Sequence, residues 1–105
     1  MPGMNKSSRT IRLIESSLHR LESDPNAAAI DALGALDELR RLERKWREQV
    51  TAGSPRRIDA DFRTMEGWLR RWLLATKAIL NRSPHDHVRA ALAAEVEKVR
   101  ATLKL

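Results

Sequence analysis

Apolar residues recur along this chain every three or four positions, and four separate stretches carry the pattern. In the first, Ile11, Ile14, Leu18 and Leu21 form one narrow stripe. It predicts a helix opening at Ser7 or Ser8, whose hydroxyls can accept free backbone N–H groups. Ser23-Asp24-Pro25-Asn26 ends it, because a residue before proline is steered away from helical angles. The second helix is expected from about Pro25 to Val50, with the proline in its first turn. Its early half is small (Ala27, Ala28, Ala29, Ala32, Gly34, Ala35), and its later half carries Leu36, Leu39, Leu42, Trp46 and Val50 on one face. Gly34 costs about 1 kcal/mol against alanine in a helix, so a close approach of another backbone is expected there.

The third helix is expected from Pro55 to Leu80. Ile58, Phe62, Met65, Leu69, Trp72 and Ile79 follow a heptad-like seam, with Thr76 in the position the seam leaves open. Trp68 sits at the edge of this face and Leu74 points away from it. Asn81 is the expected left-handed terminator. Ser83-Pro84-His85-Asp86 then reads as a cap, a first-turn proline and an acid at the third helical position. Val88, Leu92, Val96, Val99 and Leu103 mark the fourth helix, beside Ala90, Ala91, Ala93 and Ala94. No alternating β-branched run signals a strand.

The expected fold is therefore all-α: an antiparallel, up-down-up-down four-helix bundle with a short first helix. Short connections make successive helices antiparallel neighbours. The long second and third helices form its central hairpin, folded back at Thr51-Ala52-Gly53-Ser54-Pro55. Residues 1–7 are expected as a flexible tail and 8–105 as one domain, as a 105-residue chain implies. The bundle is expected to taper, narrow at the Pro25 and Pro84 turns and wide near Gly53.

Composition narrows the function classes. With 42% hydrophobic and 32% charged residues the chain is globular rather than disordered. It has no cysteine, which removes disulfides, thiolate nucleophiles and thiolate metal sites. No stretch approaches the roughly 18 apolar residues of a membrane span, and Met1 to Lys6 lack a signal peptide's apolar core. The expected location is the cytoplasm.

The net charge of +6 leaves anionic partners open, and it is unevenly spread. Residues 25–39 hold three acids and no base, whereas residues 40–71 hold ten bases and five acids. Acids near a helix start and bases near its end suit the helix dipole, which accounts for the second helix. It does not account for Arg56 and Arg57 at the expected start of the third. Unless residues 1–8 extend it and close the gap, a short first helix would also leave the wide end uncovered. Leu42, Trp46, Phe62 and Trp68 would then be an apolar floor, rimmed by Arg44, Arg47, Arg56, Arg57 and Arg63. Its occupant would be a second copy in a homodimer, or an acidic or amphipathic helical protein partner.

The alternative is sequence-independent nucleic-acid binding by the same basic pole. Arg40, Arg44 and Arg47 share one side of the second helix, and Arg63, Arg70 and Lys77 run along the third with Leu74 between them. Interspersed acids (Glu43, Glu48, Asp59, Asp61, Glu66) weaken that reading.

Catalytic and cofactor chemistry finds little footing. His85 and His87 point to different sides of a helix, so with His19, Glu15 and Glu22 they make no matched metal-ligand set. His19 is followed by Arg20-Leu21-Glu22-Ser23, without the Lys and Gly that histidine phosphotransfer domains place there. Neither Asp59 with Asp61 nor Asp37 with Glu38 has the spacing of carboxylates sharing a helix face. The expectation is a non-enzymatic interaction module with no cofactor, no metal and no small-molecule substrate.

Overall fold

The computed structural model describes residues 6–51 and 58–105, with side chains described for 9–49 and 63–105. Among these residues it is all-helical: α1 (Lys6–Ser23), α2 (Ala29–Thr51), α3 (Ile58–Arg82) and α4 (His87–Thr102), with no strand. α2 and α3 pack together, and each also touches both α1 and α4. This is the packing of a helical bundle. The predicted hairpin turn around Gly53 and the pair Arg56 and Arg57 lie outside the described residues, as does most of the expected tail.

Helix boundaries differ from expectation where a side chain outcompetes proline as the organiser. Pro25 does not open α2. The Asp24 carboxylate accepts the Asn26 N–H at 2.8 Å and the Asp24 carbonyl accepts the Ala27 N–H at 3.1 Å, which fixes a turn instead. α2 then opens at Ala29, where Asp31, third in the helix, reaches back to the Ala28 N–H at 2.8 Å.

Asn81 does not end α3. It is helical, and α3 continues to Arg82. The last carbonyls are met by side chains instead: the Ser83 hydroxyl donates to Ile79 and Arg89 Nε donates to Leu80 at 3.1 Å. Ser83 is thus spent on α3, and Asp86 caps α4 by accepting the Arg89 N–H at 2.9 Å. α4 closes with Lys104 N–H on Ala101 and Leu105 N–H on Arg100. That is a Schellman closure, and Lys104, at φ 60°, stands where glycine is usual.

The core follows the seams. Ile14, Leu18 and Leu21 of α1, Leu36, Leu39 and Leu42 of α2, Met65, Leu69 and Ile79 of α3, and Leu92 and Val99 of α4 are all buried. Trp72 lies at its middle, 0% exposed, and donates its indole N–H to the Ala32 carbonyl at 2.8 Å. The close approach therefore falls at Ala32. Gly34 is exposed, and a Cβ built on it meets nothing within 4 Å, so the contact expected at this glycine is absent. Thr76 fills its seam position fully buried, and among the described residues its hydroxyl has no hydrogen-bond partner.

Two substitutions test this account. Gly34→Ala should stabilise the chain by about 0.5–1 kcal/mol through helix propensity alone. Thr76→Val should stabilise it by about 1 kcal/mol, by removing an unpaired buried hydroxyl while keeping its shape. Urea denaturation midpoints measure both; a midpoint unchanged or lowered for Thr76→Val would mean the hydroxyl is satisfied in solution.

Candidate docking surface

The predicted apolar floor is part of the core. Leu42, Trp46 and Trp68 are 2%, 7% and 4% exposed. The two indoles stack with centroids 6.1 Å apart at 25°. α1 is 18 residues to the 23 of α2, and it packs against both α2 and α3. It is long enough to cover what a half-length helix would have left open. Phe62, Arg56 and Arg57 fall outside the described side chains. Of the predicted rim, Arg44, Arg47 and Arg63 are exposed, and Arg47 lies 3.6 Å from Glu43 on its own helix.

Two bases that the sequence counted toward the basic pole are structural. Arg40 makes a two-pronged contact with Glu95 at 2.9 and 3.0 Å, tying α2 to α4. Arg71 holds two carboxylates of α1, Glu15 at 2.9 Å and Glu22 at 2.8 Å. Glu15 also accepts the Trp68 indole N–H. One cluster thus clamps α1 onto α3 and satisfies an indole that would otherwise be buried with a bare donor. The Trp68 hydrogen bond, then Arg71, holds the Glu15 carboxyl below the usual carboxylate range. Hydrogen bonding to Arg71 does the same for Glu22, and to Arg40 for Glu95. Arg71 itself is shifted upward by Glu22 and Glu15.

An open apolar surface does exist, at a place the sequence reading described only as a row of charges. Leu74 is 74% exposed on the outer side of α3. Beside it a groove of about 560 Å³ runs between α3 and α4. Half-buried Leu73, Leu80 and Val96 form its floor, and exposed Leu74 and Leu105 form its walls. The Schellman turn at Lys104 brings Leu105 there. Its charged lining is Arg70, Lys77 and Arg100, with no acid among the lining residues. Arg70 and Lys77 stand two turns apart on α3, with Leu74 between them. On its other flank Leu74 borders a second recess, of about 420 Å³, that contains Glu22 and Asp24. A smaller groove of about 340 Å³ between α1 and α2 has Leu13, Glu38, Arg41 and Lys45 in its wall.

The signal for the α3/α4 groove was present in the sequence, since Leu74 broke the apolar seam. What was missing was the position of α4 alongside. Among the described residues no three His, Asp or Glu side chains gather to hold a metal. No helix there is long and apolar enough to cross a membrane. No protein-family model matches the chain, and no curated protein or solved structure does.

The clamp has a pH signature. A carboxyl whose folded pKa is depressed stabilises the fold above its unfolded pKa, about 4.3 for Glu, and that contribution fades as pH falls further. Glu15→Gln should therefore lower stability at pH 7 by about 1 kcal/mol or less, given the partial exposure of the cluster. The gap to wild type should be narrower at pH 3 than at pH 7. Urea midpoints at the two pH values read this out; a gap that persists undiminished in acid would assign the effect to packing.

Proposed function

We propose that this chain is a small, non-enzymatic helical interaction module, and that its α3/α4 groove is where a protein partner docks. The observation that carries the reading is the pairing of exposed Leu74 and Leu105 with an apolar floor and an all-basic charged lining. Ile11, Leu13 and Ile30 are exposed as well, but Leu74 and Leu105 share one groove with an apolar floor, and contiguous apolar patches of that kind usually serve association. This reading puts the docking surface on the outer faces of α3 and α4 instead of over Trp46, while Arg44, Arg47 and Arg63 of the expected rim remain exposed.

The bundle behind it is read as antiparallel, running up, down, up, down. Three pairings support that order between α2 and α3: Trp46 meets Trp68, Ala32 meets Trp72, and the Ala27 carbonyl meets Arg82. Arg89 meeting Leu80, with Leu69 and Val99 bordering one recess, supports the same sense between α3 and α4.

A partner suits the groove better than a second copy does. A two-fold contact through this face would set Arg70, Lys77 and Arg100 against their own images. The second reading is nucleic-acid binding, favoured by the exposed row Arg63, Arg70 and Lys77. Phosphate contacts would leave Leu74 and Leu105 without a role.

Light scattering at low and moderate salt, with a duplex-DNA titration at both, separates the readings. The docking module should be a monomer with little DNA affinity near physiological salt. DNA affinity falling steeply as salt rises would favour the second reading. A dimer dissolved by Leu74→Ala would assign the groove to self-association.

A further inference from the structure

The docking reading leaves the partner's chemistry open, and the shape and charge of the groove narrow it. We infer that the α3/α4 groove takes an acidic amphipathic helix, with its apolar stripe on Leu74 and the groove floor and its flanking carboxylates on Arg70, Lys77 and Arg100; this rests on the docking reading above.

The shape argument comes first. Leu73, Leu80 and Val96 are recessed and half-buried, while Leu74 and Leu105 stand proud at 74% and 57% exposed. A trough with raised apolar walls receives a convex apolar ridge, which is what one face of an amphipathic helix presents. A flat bilayer would touch the walls and miss the floor. A phosphate backbone would use the rim and leave the trough empty. Leu74 also has a recess on either flank, which lets it enter the spaces between a partner's side chains as a knob.

Charge sets the sign and the fit sets the length. The trough has three basic side chains in its lining and no Asp or Glu, whereas the recess beyond Leu74 is mixed, with Glu22, already paired to Arg71, and Asp24 beside Arg82. An acidic helix is drawn to the all-basic α4 side of Leu74 more than to the mixed-charge α1 side, which favours one trough of the two. Arg70 and Lys77 stand two turns apart, about 10.5 Å along α3. A partner helix lying along the trough would meet them with acids about two turns apart on its own surface. Apolar residues at helical spacing would lie between. Leu74 is the anchor, because it alone stands between the two bases on α3 and borders both recesses.

The test is fluorescence anisotropy with a labelled designed helix that carries leucines at i, i+3 and i+7 flanked by glutamates. Companion peptides replace the glutamates by lysine, or the leucines by serine. The full chain should bind the acidic peptide. Leu74→Ala should weaken binding tenfold or more with an unchanged melting temperature, since Leu74 is exposed. Arg70→Glu combined with Lys77→Glu should do the same. Serine substitution in the peptide should abolish binding.

If the lysine peptide binds as well as the acidic one and Leu74→Ala weakens both, the groove docks helices but the acidic occupant is wrong. If Leu74→Ala leaves acidic-peptide binding unchanged, or no peptide binds at millimolar concentration, both the occupant and the groove reading fail. Vesicles of anionic phospholipid and duplex DNA serve as competitors. Binding to either that exceeds binding to the peptide overturns the inference in favour of that surface.

Discussion

The hydrogen bond from the Trp72 indole to the Ala32 carbonyl is the contact on which the rest of the bundle depends. An indole has one donor and no acceptor, and burying it unpaired costs on the order of 1–3 kcal/mol. Trp72 is fully buried, so a carbonyl must be brought to it. The small residues that open α2 make that possible. Ala29, Ala32 and Ala35 are all buried, and side chains of that size let α3 come close enough for its largest residue to reach α2's backbone. The distance between the central helices is set there, and α1 and α4 pack against the pair it creates.

Trp68, one turn earlier on α3, poses the same requirement and is answered differently. Its partner is the Glu15 carboxylate, itself shared with Arg71. A charged cluster at the edge of the core thus holds α1 in register, whereas α4 is held by leucine and valine contacts and by the Arg40–Glu95 pair. Both outer helices combine apolar burial with an arginine–glutamate contact, and α1 differs in that its cluster also satisfies an indole. α1 is sensitive to protonation at its clamp, and the carboxylate that ties α4 to α2 is also held in its charged form by its partner.

This difference explains where the open surface lies. Two acids of α1, Glu15 and Glu22, are turned toward Arg71, and Glu15 also meets Trp68. Along the α4 side, the bases of α3 have no acid facing them in the groove lining, and Leu74 and Leu105 stay exposed. The surface in this groove is therefore apolar at its floor and basic at its rim, the chemistry that the sequence led one to expect over Trp46 and Trp68.

Periodicity alone determined the number of helices, their order and nearly all of the core. Of the stripe Ile11, Ile14, Leu18 and Leu21 all but Ile11, which is 36% exposed, are buried, as are Met65, Leu69, Trp72 and Ile79 of the seam, because a 3.6-residue period leaves an apolar face no other way to leave water. Local chemistry placed the breaks to within a few residues. It erred wherever a carboxylate or hydroxyl competed with proline or asparagine for the same backbone groups, as Asp24, Ser83 and Asp86 do. Only the tertiary structure decided which charges are spent inside the fold and which face outward. Arg70 and Arg71 are neighbours in the chain, yet one borders an open groove and the other clamps two glutamates. A residue's partner across a helix interface is fixed by the rotation and spacing of whole helices, and no short-range pattern in the sequence encodes that.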